Sequence, residues 1–137
     1  MYTLCDENFD DALNIIHPEL SQGDLVVMWQ RPGCPHCDIM KPEFEKADRL
    51  TTAGAKFAIV DIRQCPGAFA KANGPMSPYK VAGVPKVVSY SNGKYFSTYV
   101  NNPDAAPEIR AGYRKAADIA LYADTINTVE PVQNQYA

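Results

Sequence analysis

Two cysteines three positions apart, Cys34 and Cys37, with Pro35 and His36 between them, are the residues of this 137-residue chain best placed to do chemistry. Such a pair can open and close a disulfide, or can supply two of the four ligands of a zinc ion. The other two ligands would have to come from Cys5, Cys65, His17 and His36, which form no second pair at ligand spacing. The expectation is therefore no metal. Position argues for redox chemistry. Cys34 follows a short apolar run and opens a helical pattern, where free backbone N–H groups and the positive end of the helix dipole stabilise an anion. A thiolate at Cys34 is favoured, while Cys37, a turn further in, is expected to stay protonated. One unit of pKa depression is about 1.4 kcal/mol of preference for the thiolate. That preference also stabilises the reduced pair, which makes its disulfide a stronger oxidant. His36 is read as a donor or partial cation beside Cys34, pushing the same way. Pro35 suits the first helical turn, where its missing N–H costs nothing.

The elements that must hold these cysteines can be read around them. Leu25 to Gln30 is short, apolar and β-branched, which predicts a buried central strand. Arg31-Pro32-Gly33 breaks it, and the helical pattern that follows carries Ile39, Met40, Phe44, Ala47 and Leu50, with Pro42 expected to kink it. Upstream, Asp6 or Asn8 would cap a first helix whose stripe is Phe9, Leu13 and Ile16, ending before Pro18. Ala55 to Ile62 predicts a second strand, and Arg63 to Ala82 an irregular connection with one short helix around Ala68 to Ala72. Lys86 to Tyr90 and Tyr95 to Val100 flank Asn92-Gly93, a strong hairpin signal. A Pro-rich loop, Asn101 to Pro107, leads to a last helix with Ile119, Tyr122, Ala123 and Ile126 on one face. The expected organisation is one domain over residues 1–126 and a polar tail over 127–137.

Composition sets the outer limits. Hydrophobic residues make up 46% and charged residues 21%, as in an ordinary globular domain. A formal charge of -3 argues against a general nucleic-acid binder, which needs a basic stripe. No apolar run approaches the ~20 residues of a membrane span. Four cysteines are too few for a disulfide-dense scaffold. Cys5 and Cys65 have no motif neighbours and are expected to be small buried hydrophobes, with a regulatory or intermolecular thiol as the alternative. Arg110, Arg114 and Lys115 are read as a solvated face. The first eight residues show neither a basic n-region nor an apolar h-region, so the expected location is cytoplasmic or intracellular.

In combination these residues resemble the thioredoxin-fold family. Cys34-Pro35-His36-Cys37 after Val26-Val27-Met28-Trp29, with Pro42 eight residues beyond Cys34, looks like its active-site strand and helix. Gly83-Val84-Pro85 resembles its cis-proline loop, and Ser91-Asn92-Gly93-Lys94 its hairpin turn. Gly112-Tyr113-Arg114-Lys115 is similar to a stretch of protein disulfide isomerase modules. The Pro-His dipeptide is the one seen in the oxidising DsbA group. The resemblance, from Leu4 to Ile126, implies an α/β thioredoxin fold with a central four- to five-stranded mixed sheet flanked by helices. It implies a thiol–disulfide oxidoreductase on the oxidising side, with Cys34 the nucleophile, Cys37 its partner and no cofactor. It also implies that the loop of Gly83, Val84 and Pro85 faces the cysteines and pairs with substrate backbone as an added strand. Partners would be protein thiols and an unidentified redox partner.

Departures from the family's pattern matter too. Met28 stands where those proteins carry a buried acid, which serves the second cysteine as proton acceptor. Gly33 replaces the usual Trp, and Asp38 the usual Lys. Two rival readings remain open at this point. One is a glutathione-dependent, glutaredoxin-like reductase, although the expected glutathione motif after the cis-proline strand is absent. The other is a binding or structural subunit in which the Cys-x-x-Cys pair has no catalytic role.

Overall fold

The computed structural model describes residues 1–99 and 114–126. Five strands form one mixed sheet: β1 (Tyr2–Leu4), β2 (Asp24–Gln30), β3 (Lys56–Asp61), β4 (Lys86–Ser91) and β5 (Lys94–Thr98). Their spatial order is β1-β3-β2-β4-β5. β1, β3 and β2 are parallel, whereas β4 and β5 run antiparallel to their neighbours. Among the described residues, three helices cover the sheet: α1 (Pro35–Leu50), α2 (Pro66–Asn73) and α3 (Ala116–Thr125).

The central strand explains the two-sided core. Val26, Val27, Met28 and Trp29 are each wholly buried, so both faces of β2 are covered. Val27 and Trp29 pack with Phe9, Leu20, Val88 and Ala68 of α2 on one face. Val26 and Met28 pack with Met40 and Phe44 of α1 and Ile119 and Tyr122 of α3 on the other. Phe44 meets Phe57 of β3 with ring centroids 5.0 Å apart, which holds α1 against the sheet. Helix α1 runs unbroken through Pro42. Ile39 and Leu50, read from periodicity as part of its buried stripe, are 60% and 50% exposed; Met40, Phe44 and Ala47 make the stripe.

The hairpin forms where expected. Asn92 and Gly93 both take positive φ, 49° and 82°, the conformation a two-residue turn between right-twisted strands requires. The last helix buries the expected Ile119, Tyr122, Ala123 and Ile126. The loop 101–107, Arg110, Gly112-Tyr113 and the tail 127–137 lie outside the described residues.

The expected first helix does not form. Asp6–Asn8 make a single 3₁₀ turn, and the chain then folds back with a bridge between Phe9 and Ile15. Asp10 organises that loop: its Oδ1 accepts from the amides of Ala12 and Asn14, both at 2.9 Å. These local side-chain bonds offer the backbone an alternative to a helix. Leu13 has φ 63°, outside the right-handed helical region. Phe9 and Leu13 are buried as the periodicity suggested, yet Ile16 is 53% exposed. The sequence reading also missed β1, which has three residues, only the last of them buried.

Candidate active site

β2 ends at Gln30, and Arg31 to Gly33 swing the chain onto the N-terminus of α1. Gly33 has φ 76°, which a residue without Cβ adopts freely. This explains a glycine at the position before the motif. Cys34 is the N-cap of α1 and Pro35 is in its first turn, as expected. Cys34 Sγ accepts from the Cys37 amide at 3.3 Å and donates to the Val84 carbonyl at 3.8 Å. Both cysteines are free thiols, Cys34 5% exposed and Cys37 1%.

The two thiols differ in acidity. Burial pushes Cys34 up, but hydrogen bonds from the Cys37 side chain and amide, the Arg31 charge and a bond from the His36 backbone bring it below the ordinary thiol value. Cys37 is pushed up to about 11, first by burial and then by the neighbouring Cys34 sulfur. The cation that acts on Cys34 is therefore Arg31, which the sequence reading passed over as part of a strand break. Its signal was available: an arginine three residues before the first cysteine. His36 contributes its backbone to Cys34, while its imidazole is exposed.

The Val84–Pro85 peptide is cis, and the Val84 carbonyl lies against Cys34. A cavity of about 190 Å³ opens beside this junction, lined by His36, Met40, Val84, Pro85, Tyr99 and Arg114. Arg114 thus belongs to the rim of the site rather than to a separate solvated face. Gly83 is exposed, and among the described residues no atom comes within 4 Å of where its Cβ would be. Met28 is wholly buried, packed among Met40, Phe44 and Val87, so a thioether occupies the place of a carboxyl proton acceptor.

Cys5 and Cys65 are not separate buried thiols. They form a disulfide that joins the end of β1 to α2, with Cα atoms 5.2 Å apart. β1 and β3 are parallel neighbours, so the chain leaving each emerges at the same end of the sheet and brings the two cysteines together. The pairing was out of reach once β1 had been missed. Among the described residues, one group has the donors of a metal site, Cys5, Asp6 and Cys65, and both of its sulfurs are committed to the disulfide. No helix among the described residues is long and apolar enough to cross a membrane.

Comparison with known proteins agrees with this architecture. The Thioredoxin family model matches residues 1–112. Mouse protein disulfide-isomerase A5 is 30% identical over 115 residues, an alignment covering 78% of this chain and 21% of that protein. A Caenorhabditis elegans protein designated probable protein disulfide-isomerase A4 is 33% identical over 109 residues, covering 78% of this chain and 15% of its own length. The chain therefore spans about a fifth or less of these curated relatives. A zinc-bound form of human ERp44 superposes with a TM-score of 0.61 at 19% identity, covering 89% of this chain and 30% of that one, a likeness of fold.

Proposed function

The chain belongs to the thioredoxin family, and from that premise we propose that it exchanges disulfides with protein thiols through Cys34 and Cys37, on the oxidising side. The observation that carries this reading is the split between the two sulfurs, Cys34 lowered and Cys37 raised to about 11. In the oxidising direction a substrate thiolate attacks Cys34 of the Cys34–Cys37 disulfide. The sulfur–sulfur bond breaks, and Cys37 leaves with the electron pair and takes up a proton. A second substrate thiolate attacks the substrate sulfur of the mixed disulfide and expels Cys34, whose low pKa makes it a good leaving group. The substrate departs with a disulfide, and a redox partner must accept two electrons from the dithiol.

The reverse direction is handicapped. Reduction of a substrate needs Cys37 as a thiolate to resolve the mixed disulfide, and its burial disfavours that charge. Met28 cannot take its proton. A substrate segment would lie against the Val84 backbone with a side chain in the cavity rimmed by His36 and Arg114. Disulfides persist in oxidising surroundings and are rare in the reducing cytosol, so the Cys5–Cys65 bond favours an oxidising setting for the protein.

A glutathione-buffer titration of the Cys34–Cys37 couple tests the direction. The expected potential lies between about -230 and -120 mV, the span from glutaredoxins to DsbA. A value at or below about -270 mV, where thioredoxin sits, would contradict the oxidising assignment.

A further inference from the structure

Cys34 and Cys65 stand in the same local frame. Each is the N-cap of a helix that follows a parallel strand, and each has a proline in the first helical turn, Pro35 and Pro66. The frames part at the third helical residue. In α1 the Cys37 amide points at the Cys34 sulfur, 3.3 Å away. In α2 the equivalent amide, of Ala68, is held at 2.6 Å by the Asp6 carboxylate. Gly67 makes that approach feasible: a Cβ there would fall 2.8 Å from Asp6 Cγ and 2.9 Å from its Oδ2.

We propose that Asp6 keeps the Cys5–Cys65 disulfide out of exchange by occupying the α2 amide that would otherwise stabilise a Cys65 thiolate. Cys65 is 3% exposed and Cys5 is partly exposed, so an external dithiol attacks at Cys5. Its thiolate forms a bond to Cys5 Sγ, the Cys5–Cys65 bond breaks, and the electron pair leaves on Cys65 Sγ. The second thiol of the reductant then expels Cys5 and closes its own disulfide. The first step depends on how well Cys65 bears negative charge. Here it has lost the amide that serves Cys34. In addition, a ligand oxygen of the Asp6 carboxylate lies within 4.8 Å of both sulfurs, where its charge disfavours a second anion. Asp6 is thus a positioning residue that confines exchange to the Cys-x-x-Cys pair, and its effect does not depend on which substrate that pair serves.

The test uses the full chain carrying Cys34→Ser and Cys37→Ser, so that Cys5–Cys65 is the one couple present. Reduction by dithiothreitol is followed for rate and for equilibrium position, with and without Asp6→Ala or Gly67→Ala. Both substitutions free the Ala68 amide, one by removing the carboxylate and one by displacing it. With the equilibrium read at a pH above the Cys65 pKa, where the reduced sulfur is a thiolate, it should move about tenfold toward the dithiol for each unit by which that pKa falls. The rate should rise severalfold as well, because a thiol of lower pKa leaves faster. Alanine is a better helix former than glycine, so Gly67→Ala favours α2 intrinsically, and loosening of the helix is not its expected route. If Asp6→Ala does not fold, Gly67→Ala decides alone. Unchanged rate and equilibrium in both variants would overturn the proposal, as would a shift with Asp6→Ala and none with Gly67→Ala.

Discussion

At the C-terminal end of the parallel strands, two cysteine pairs sit in closely matched frames and in opposite states. Cys34–Cys37 is an open dithiol at the head of α1, while Cys5–Cys65 is a closed disulfide at the head of α2. A helix N-terminus alone does not produce a reactive sulfur. What receives its free amides decides, and in α1 that acceptor is Cys34 whereas in α2 it is Asp6. The partners differ as well. Cys37 lies three residues from Cys34 on one helix turn, so closing that pair constrains little beyond the turn. Cys5 and Cys65 are 60 residues apart, and their bond ties two distant elements together. One pair is arranged to exchange, the other to hold.

The sharpest way to break this division is to remove one nucleophile at a time. Cys34→Ser should lower disulfide-exchange turnover on the order of a thousandfold or more, as expected when the group forming the covalent intermediate is lost. Cys5→Ser should leave most of the turnover of the folded protein intact. A Cys34→Ser protein that still turns over would mean that the second pair exchanges too.

Stability should divide the pairs the other way. On the chain-entropy model, a disulfide spanning the 60-residue separation of Cys5 and Cys65 contributes about 4 kcal/mol. Urea unfolding of Cys5→Ser with Cys65→Ser should therefore show a loss of that order. Cys34→Ser should cost about 1 kcal/mol or less, because serine is itself a favoured N-cap. Equal losses would remove the distinction between a working pair and a holding pair.

A smaller effect should come from Arg31. Its positive charge is one cause of the lowered Cys34 pKa, so Arg31→Ala moves that pKa upward. The sign follows directly: with a higher pKa there is less thiolate at any pH below it, so alkylation of Cys34 slows at neutral pH and its midpoint shifts to higher pH. The slowing should be a few-fold, since Arg31 is partly exposed and solvent screens it. An unchanged midpoint would leave the hydrogen bonds from Cys37 and His36 as the controlling groups.

Much of this was legible in the sequence, for identifiable reasons. β2, the hairpin and α1 announced themselves because a buried strand, an Asn-Gly turn and an N-cap followed by proline each leave a local signature. Cys34, Cys37, Pro35 and Val84-Pro85 came from the same local signals and a family resemblance. Part of what failed was not local. β1 is three residues long and acquires its meaning from pairing with β3, so no periodicity betrays it. With β1 missing, Cys5 had no place in space, and its bond to Cys65 could not be seen. The false helix over Phe9 to Ile16 had the right spacing, but Asp10 captured the backbone amides of Ala12 and Asn14 instead. Arg114 joins the site only because α3 returns to α1, a contact between residues far apart in the chain.

The most direct measurement is a map of which sulfur reacts first. The protein is treated with an alkylating reagent without prior reduction of its stable disulfide, over a series of pH values from mildly acidic upward, and the labelled cysteine is identified by mass spectrometry. Label should appear first on Cys34, already at mildly acidic pH, and on Cys37 only as the pH nears its pKa of about 11. Cys5 and Cys65 should stay unlabelled throughout. Early label on Cys65, or label on Cys37 as fast as on Cys34, would contradict the account.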